Sequence, residues 1–168
     1  DCQRLDVAES DKSFFTQESH WNNSNGVWNL RAGISKKAKW RAVNMYVREP
    51  LLEGVDIHYF NDSTLILEQR AKDILSPVIE ACGEVYEQPV EGRMCYVLNV
   101  MRFGHDFQGD EEFPEEGLFY DLVGVNVSLV RLSWGTLRAI SGVTPPELDF
   151  KLLVEKHNLK GLSFREVW

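Results

Sequence analysis

The sequence has few cysteines and no long apolar run. Its three cysteines, Cys2, Cys82 and Cys95, are an odd and widely spaced set without a C-x-x-C pair. Such a set argues against a disulfide framework and a zinc knuckle, and fits a reducing compartment. No stretch approaches the roughly 18 apolar residues of a membrane span, and no charged-then-apolar segment opens the chain. We therefore expect a soluble, cytoplasmic protein with no membrane partner.

Positive charge is also scarce. Eighteen Lys and Arg residues stand against 26 Asp and Glu, which gives a formal net charge of −8. Nonspecific binding to nucleic acid depends on Lys and Arg that displace counterions from phosphates, so we expect no nucleic-acid partner. An acidic surface can compete with phosphate for a basic protein, but it more often serves solubility. The composition leaves both uses open, including mimicry of nucleic acid.

A catalytic constellation is hard to assemble from these residues. The four histidines lie far apart and none has a recognised metal-ligand spacing: His20, His58, His105 and His157. Cys82 and Cys95 lie in apolar patterns that are typical of buried thiols. Asp56 and His58 could form an acid–base pair, although residues two apart on a strand merely share a face. An enzyme that also used His105 would require the three groups to converge in a pocket. We expect no catalytic residues, no metal site and no cofactor, and keep an enzyme using Asp56, His58 and His105 as an alternative.

The stretch from Leu65 to Asn99 predicts a helix followed by a hairpin. Its apolar residues recur at helical spacing: Leu67, Ala71, Ile74, Leu75, Val78, Ile79 and Cys82. Pro77 predicts either a kink or a second short helix that Ser76 caps. After Gly83, two β-rich runs, Glu84–Val90 and Met94–Val100, flank a short connection that contains Gly92.

The remaining segments predict an α+β domain. Strands are indicated at Val27–Leu30, Trp40–Val47, Asp56–Phe60, within Leu118–Ser133, and at Leu162–Trp168. A helix is predicted from Pro145 to Asn158, with Thr144 and Glu147 as a capping box. Asn158 or Gly161 is expected to be the left-handed residue at its end. We expect one domain over residues 1–168, a mostly antiparallel sheet with two principal helices, and a loosely ordered arm at 1–25.

An acidic segment, Gly104–Gly117, stands out because it is long and lacks a regular pattern. Its acidic and aromatic residues are Asp106, Phe107, Asp110, Glu111, Glu112, Phe113, Glu115 and Glu116. They lack the alternation of an EF-hand calcium loop. A loop of this length without regular structure is often functional or disordered.

Three short motifs resemble the immunity-protein-eleven family of bacterial polymorphic toxin systems. They are Leu67-Glu68-Gln69-Arg70-Ala71, then Gly83-Glu84 with Tyr96-Val97-Leu98-Asn99, and the ending from Gly161 to Trp168. A weaker match is Val55-Asp56-Ile57. The resemblance implies a non-enzymatic protein that binds a cognate toxin domain and occludes its active site or substrate path.

Within that implied function, we expect the acidic segment to bind the toxin, with Trp21 and Trp28 as second choice. The charges would steer association, and Phe107 and Phe113 would act as anchors. An adaptor or structural module of a secretion system is the alternative from another class. The sequence leaves the oligomeric state and the toxin's activity open.

Overall fold

A computed structural model describes residues 5–7, 30, 33–47, 53–61, 64–102, 127–131 and 137–165. The strands are β1 Leu5–Val7, β2 Met45–Val47, β3 Ile57–Asn61, β4 Thr64–Leu67, β5 Gly83–Val90, β6 Arg93–Val100, β7 Leu129–Arg131 and β8 Leu137–Ala139. The helices are α1 Gln69–Ile74, α2 Ser76–Cys82 and α3 Phe150–Lys156, with a 3-10 turn at Pro146–Leu148. The predicted α+β class is confirmed.

Six strands form the main sheet in the order β1-β2-β5-β6-β4-β3, and β7 pairs with β8 separately. All neighbouring pairs are antiparallel except β2 and β5, where Met45 pairs with Val90 in parallel. The predicted hairpin forms the centre of this sheet. Its strands β5 and β6 pair along their whole length, from Gly83 opposite Val100 to Val90 opposite Arg93. Glu91 and Gly92 connect them with φ values of 49° and 79°, as a two-residue turn of the I′ kind requires.

The first face of the sheet carries the larger apolar core. Leu67 and Leu98 from the sheet pack there with Leu75 and Val78 from the helices and Phe150 from α3. The structure thus places a helical layer on this face.

The predicted helix of the central stretch is two helices, and it starts later than expected. Pro77 lies in the first turn of α2, and buried Leu75 separates α1 from α2. The predicted second short helix is therefore present, but Ser76 is not its cap. Leu75 takes the N-cap position, and Ser76 is the first helical residue and makes no capping hydrogen bond. Residues 64–67 form β4 instead of a helical start. All four residues are buried. A strand that is covered on both faces has a continuous apolar run, and periodicity alone does not distinguish such a run from a buried helix.

The capping box predicted at Thr144 is wrong. A 3-10 turn occupies Pro146–Leu148, and α3 begins at Phe150 with Asp149 as its N-cap. At the other end the predicted left-handed residue is present, because Asn158 has φ 49°. The Asn158 amide donates to Glu155 O and the Leu159 amide to Val154 O, which is a Schellman arrangement.

Other boundaries also differ from the predictions. The strand expected over Trp40–Val47 is confined to Met45–Val47, and residues 162–165 have no regular secondary structure although Leu162 and Phe164 pack against the core. Within Leu118–Ser133 the described part contains β7, and residues 27–29 and Trp168 lie outside the described residues. In the part of the chain described, no helix is both long and apolar enough to cross a membrane.

Candidate functional site

The second face of the sheet combines apolar residues with buried polar side chains. Alternate residues of β5 point to this face, namely Glu84, Tyr86, Gln88 and Val90, and all four are buried. Segment 33–47 crosses them, with Val43 and Met45 in the core on this side. Among the described residues, the polar networks on this face include one around Tyr86 and one around Glu68.

The Tyr86 network holds the crossing segment. The Tyr86 hydroxyl donates to Glu84 Oε1 and accepts from the Lys36 amide at 2.7 Å and from Asn99 Nδ2 at 2.9 Å. Asn99 also donates to Ile34 O at 3.1 Å. Burial and the neighbouring Glu84 raise the pKa of Tyr86 to about 12. The hydroxyl therefore stays protonated at neutral pH and fixes the position of segment 34–36.

The second network joins three strands through Glu68, the residue after β4. Glu68 Oε1 lies 2.8 Å from His58 Nε2 of β3 and 3.0 Å from Arg93 Nη1 of β6. Burial raises the pKa of Glu68, but the hydrogen bond from His58 and the charge of Arg93 outweigh it, so the net shift is downward. An ionised carboxylate only accepts hydrogen bonds, so Nε2 of His58 carries the ring hydrogen.

Cys95 of β6 completes this cluster. The thiol is fully buried, and its proximity to Glu68 lowers the pKa of that carboxyl group. Burial, followed by the charge of Glu68, raises the pKa of Cys95 to about 12. A thiol in this state is a poor nucleophile at neutral pH, because the thiolate is the reactive form.

In the part of the chain that the structure describes, this cluster is a group of residues that could hold a metal ion. One ligand atom each from His58, Glu68 and Cys95 lies within 4.8 Å of the other two. The sequence expectation of no metal site missed this group because its members come from β3, the end of β4 and β6. No sequence spacing indicates it, since the sheet register alone brings the three together.

Asp56 belongs to a different network from His58. Its Oδ2 accepts from Arg70 Nη1 and from the Lys160 amide, both at 2.8 Å. Arg70 also donates to His157 O at 2.5 Å. Asp56 thus ties α1 to the chain that follows α3, while His58 hydrogen-bonds Glu68. Asp56 and His58, which the sequence suggested as an acid–base pair, therefore hydrogen-bond other residues. His105, the third residue of the enzyme alternative, lies outside the described residues.

Beyond the helices, the first face of the sheet ends in an exposed patch. Helix α1 covers this face as far as Tyr96. The Tyr96 hydroxyl donates to Gln69 Oε1 at 2.6 Å, and its ring centre lies 5.2 Å from Lys72 Nζ. Met94, two residues earlier on the same face, is 43% exposed. It pairs with exposed Pro89, and exposed Glu87 pairs with Tyr96.

Tyr46 belongs to this patch by strand alternation. Met45 pairs with Val90 and packs on the second face, so Tyr46 points to the first face, where it is 39% exposed. We call Tyr46, Glu87, Pro89 and Met94 the hairpin-end patch. Sequence reasoning missed it, because a Tyr or Met in an alternating strand usually predicts a core residue.

The residues expected to bind a toxin fall outside the described residues. These are Trp21, Trp28, Asp106, Phe107, Asp110, Glu111, Glu112, Phe113, Glu115 and Glu116. Their role stays a prediction.

No family model matches the chain, and neither a curated protein nor a solved structure does. The family resemblance and the function that it implies therefore also stay predictions.

Proposed function

We propose that the protein is an immunity protein, which binds a cognate toxin domain in the cytoplasm of the producing cell and neutralises it by stoichiometric occlusion. The observation that carries the proposal is the hairpin-end patch. Tyr46 and Met94 are large apolar side chains left exposed on the sheet, on the same face as exposed Pro89. Tyr and Met are among the residues enriched at protein interfaces, and a contiguous exposed apolar patch is typical of an interaction site.

Charge supports a basic partner. The chain has a formal net charge of −8, and Glu87 on the patch is exposed. Toxins that act on nucleic acids need a positive surface to bind phosphates, and an acidic protein would associate quickly with such a surface. The apolar residues would then hold the complex by slowing its dissociation.

The titratable groups that an enzyme would need have structural partners instead. Asp56 holds Arg70 and the Lys160 amide, and His58 hydrogen-bonds Glu68. The pKa of Cys82 is raised to about 12 by its burial, as is that of Cys95. These contacts favour binding over the enzyme alternative.

The proposal is tested by titrating the purified protein against the product of the neighbouring gene, with the toxin's activity assayed in the same samples. We expect one-to-one binding with loss of toxin activity. No binding by a folded sample would overturn the immunity proposal. A permanent complex that leaves the toxin fully active would favour the adaptor alternative.

The patch is tested with a matched pair of variants. Met94→Lys places a charge in the patch, and Leu152→Lys makes the same change on α3, at a residue that is 42% exposed against 43% for Met94. A centrally buried anchor contributes about 2 kcal/mol or more, which is roughly a 30-fold loss of affinity. We expect such a loss for Met94→Lys and less than about threefold for Leu152→Lys.

Equal affinity in the two variants would move the interface away from the patch. The joint reversal of Glu111, Glu112, Glu115 and Glu116 to Lys would then test the acidic segment. A large loss there would locate the interface in that segment.

A further inference from the structure

We propose that His58, Glu68 and Cys95 form a binding site for a divalent transition-metal ion of the zinc type, in competition with the guanidinium group of Arg93. This inference is independent of the toxin-binding function, because the cluster lies on the second sheet face and the hairpin-end patch lies on the first.

The donor types are those that zinc prefers. An imidazole nitrogen, a carboxylate oxygen and a thiolate sulfur are its three common protein ligands. Three protein ligands leave a fourth, tetrahedral position for water or another ligand. A harder ion such as magnesium or calcium would instead select a set made of oxygen atoms.

The geometry needs only a small rearrangement, in which His58 Nε2 and Glu68 Oε1, now 2.8 Å apart, separate slightly. At zinc bond lengths of about 2.0–2.3 Å, tetrahedral ligands lie roughly 3.3–3.8 Å apart. The three ligand atoms already lie within 4.8 Å of one another. They are fixed by β3, β4 and β6, which are directly hydrogen-bonded neighbours. A preformed arrangement lowers the entropic cost of binding.

The His58 ring has an unused acceptor position. Its Nδ1 atom is buried and makes no hydrogen bond, while His58 as a whole is 1% exposed. Nε2 is the nitrogen that faces Glu68, at 2.8 Å from Oε1, so a metal ion would bind Nε2 and displace its hydrogen. Nδ1 can take that hydrogen in the other neutral tautomer of the ring, because no described group donates a hydrogen bond to it.

Arg93 provides the counter-charge that a metal ion would replace. Its Nη1 atom lies 3.0 Å from Glu68 Oε1, and its side chain is 53% exposed. An exposed side chain can swing into solvent at little cost, so the cluster is accessible from this side. Arg93 and a metal ion would exclude each other at Glu68, since both are cations that need the same carboxylate oxygen.

Binding requires Cys95 to lose its proton. The metal takes the place of that proton on sulfur, and the proton passes to solvent or buffer. No electron transfer is involved, so the step is a proton-for-metal exchange.

The test is a cobalt(II) chloride titration, because cobalt replaces zinc and gives a charge-transfer absorption band when a thiolate binds it. A Cys2→Ser background leaves Cys82 and Cys95 as the two thiols. We expect one cobalt per chain, and binding about tenfold tighter in Arg93→Ala because the competing cation is gone. Zinc sulfate should then displace the cobalt and abolish the band.

Two matched controls come from the chain itself. Cys82→Ser alters a thiol that is as buried as Cys95, at 1% against 0% exposed, and it should keep the band that Cys95→Ser loses. Arg70→Ala removes another carboxylate-bound arginine, 52% exposed against 53% for Arg93, and it should leave cobalt affinity unchanged. Thermal unfolding of each variant verifies that it is folded.

The following results would overturn the proposal. One is the lack of a charge-transfer band in folded Arg93→Ala, and another is a band that survives in Cys95→Ser. Equal cobalt affinity in Arg93→Ala and in the Cys2→Ser background would overturn the competition with Arg93. If Cys95→Ser does not fold, Glu68→Gln replaces it, and unchanged cobalt affinity in that variant would count against the site.

Discussion

The side-chain amide of Gln88 hydrogen-bonds both main-chain groups of Val43, which lies 45 residues earlier in the chain. Gln88 Oε1 accepts from the Val43 amide at 3.1 Å, and Nε2 donates to Val43 O at 2.5 Å. Gln88 is fully buried. A single side chain thus supplies the pair of hydrogen bonds that a neighbouring strand would supply, and it fixes the crossing segment before β2 on the sheet.

The first prediction is that Gln88→Leu destabilises the protein. The change leaves the amide and carbonyl of Val43 buried without these partners, and each such group costs about 1–3 kcal/mol. We expect the free energy of unfolding, measured with urea, to fall by at least about 2 kcal/mol. Glu87→Gln, at the exposed neighbouring position, should change it by less than about 0.5 kcal/mol. Similar values for both variants would show that this pair of hydrogen bonds contributes little.

The second prediction concerns acid stability. Burial raises the pKa of Glu84, but hydrogen bonds from Tyr86, Ser35 and Lys37 outweigh burial and lower it below its ordinary value of 4.5. A carboxyl group with a depressed folded pKa stabilises the protein above its unfolded pKa, and this contribution is lost as the pH falls through the folded value. Glu84→Gln removes the charge and keeps an acceptor for Tyr86.

We therefore expect the difference in unfolding free energy between the wild type and Glu84→Gln to be largest above pH 4.5. It should shrink as the pH falls through the folded pKa of Glu84, which lies below that value. Urea unfolding at a series of pH values measures this difference. Glu155→Gln is the control, because Glu155 lies on the exposed side of α3 with a distant 3.9 Å contact to Lys151. A difference for Glu84→Gln that stays constant with pH would contradict the prediction.

The third prediction separates two possible caps of the last helix. Asp149 accepts hydrogen bonds from the Leu152 amide at 3.0 Å, from Ser141 Oγ and from the Gly142 amide. Replacing an N-cap Asp by Ala costs about 0.5–2 kcal/mol of stability. Because Asp149 also accepts from Ser141 and Gly142, we expect the loss for Asp149→Ala to lie at the upper end of that range. Thr144 Oγ1 is buried without a hydrogen bond, so Thr144→Val should be neutral or stabilising. Thermal unfolding of both variants measures this, and a larger loss at Thr144 would support the capping box.

This helix illustrates what the sequence could and could not predict. Local signals were sufficient for the Gly92 turn, the break at Pro77 and the left-handed Asn158, because each depends on the conformation of one or two residues. The choice of Asp149 over Thr144 depends on Ser141 and Gly142, which belong to a turn whose position only the folded chain defines. The same reason hid the cluster of His58, Glu68 and Cys95, which the strand order β6-β4-β3 brings together.

The fourth prediction compares two glycines that both have positive φ. Gly161 has φ +115°, and a Cβ there would lie 1.9 Å from Ile57 O and 2.9 Å from Val55 Cγ1. The preceding residue, Lys160, accepts from the amides of Asp56 and Ile57, so the chain after α3 lies directly on the start of β3. Gly92 has φ +79° with open space around it.

In Gly161→Ala, the new Cβ would therefore force the main chain at Ile57 to move, and the backbone of residue 161 would also be strained. In Gly92→Ala, only the backbone of residue 92 would be strained. Strain at a left-handed residue costs about 1–2 kcal/mol, and we expect that loss for Gly92→Ala in chemical unfolding. For Gly161→Ala we expect more than about 4 kcal/mol, which few single substitutions reach, or a chain that does not fold. Equal losses at the two positions would mean that the segment after α3 can move away from Ile57, and that its contact with β3 is not part of the stable core.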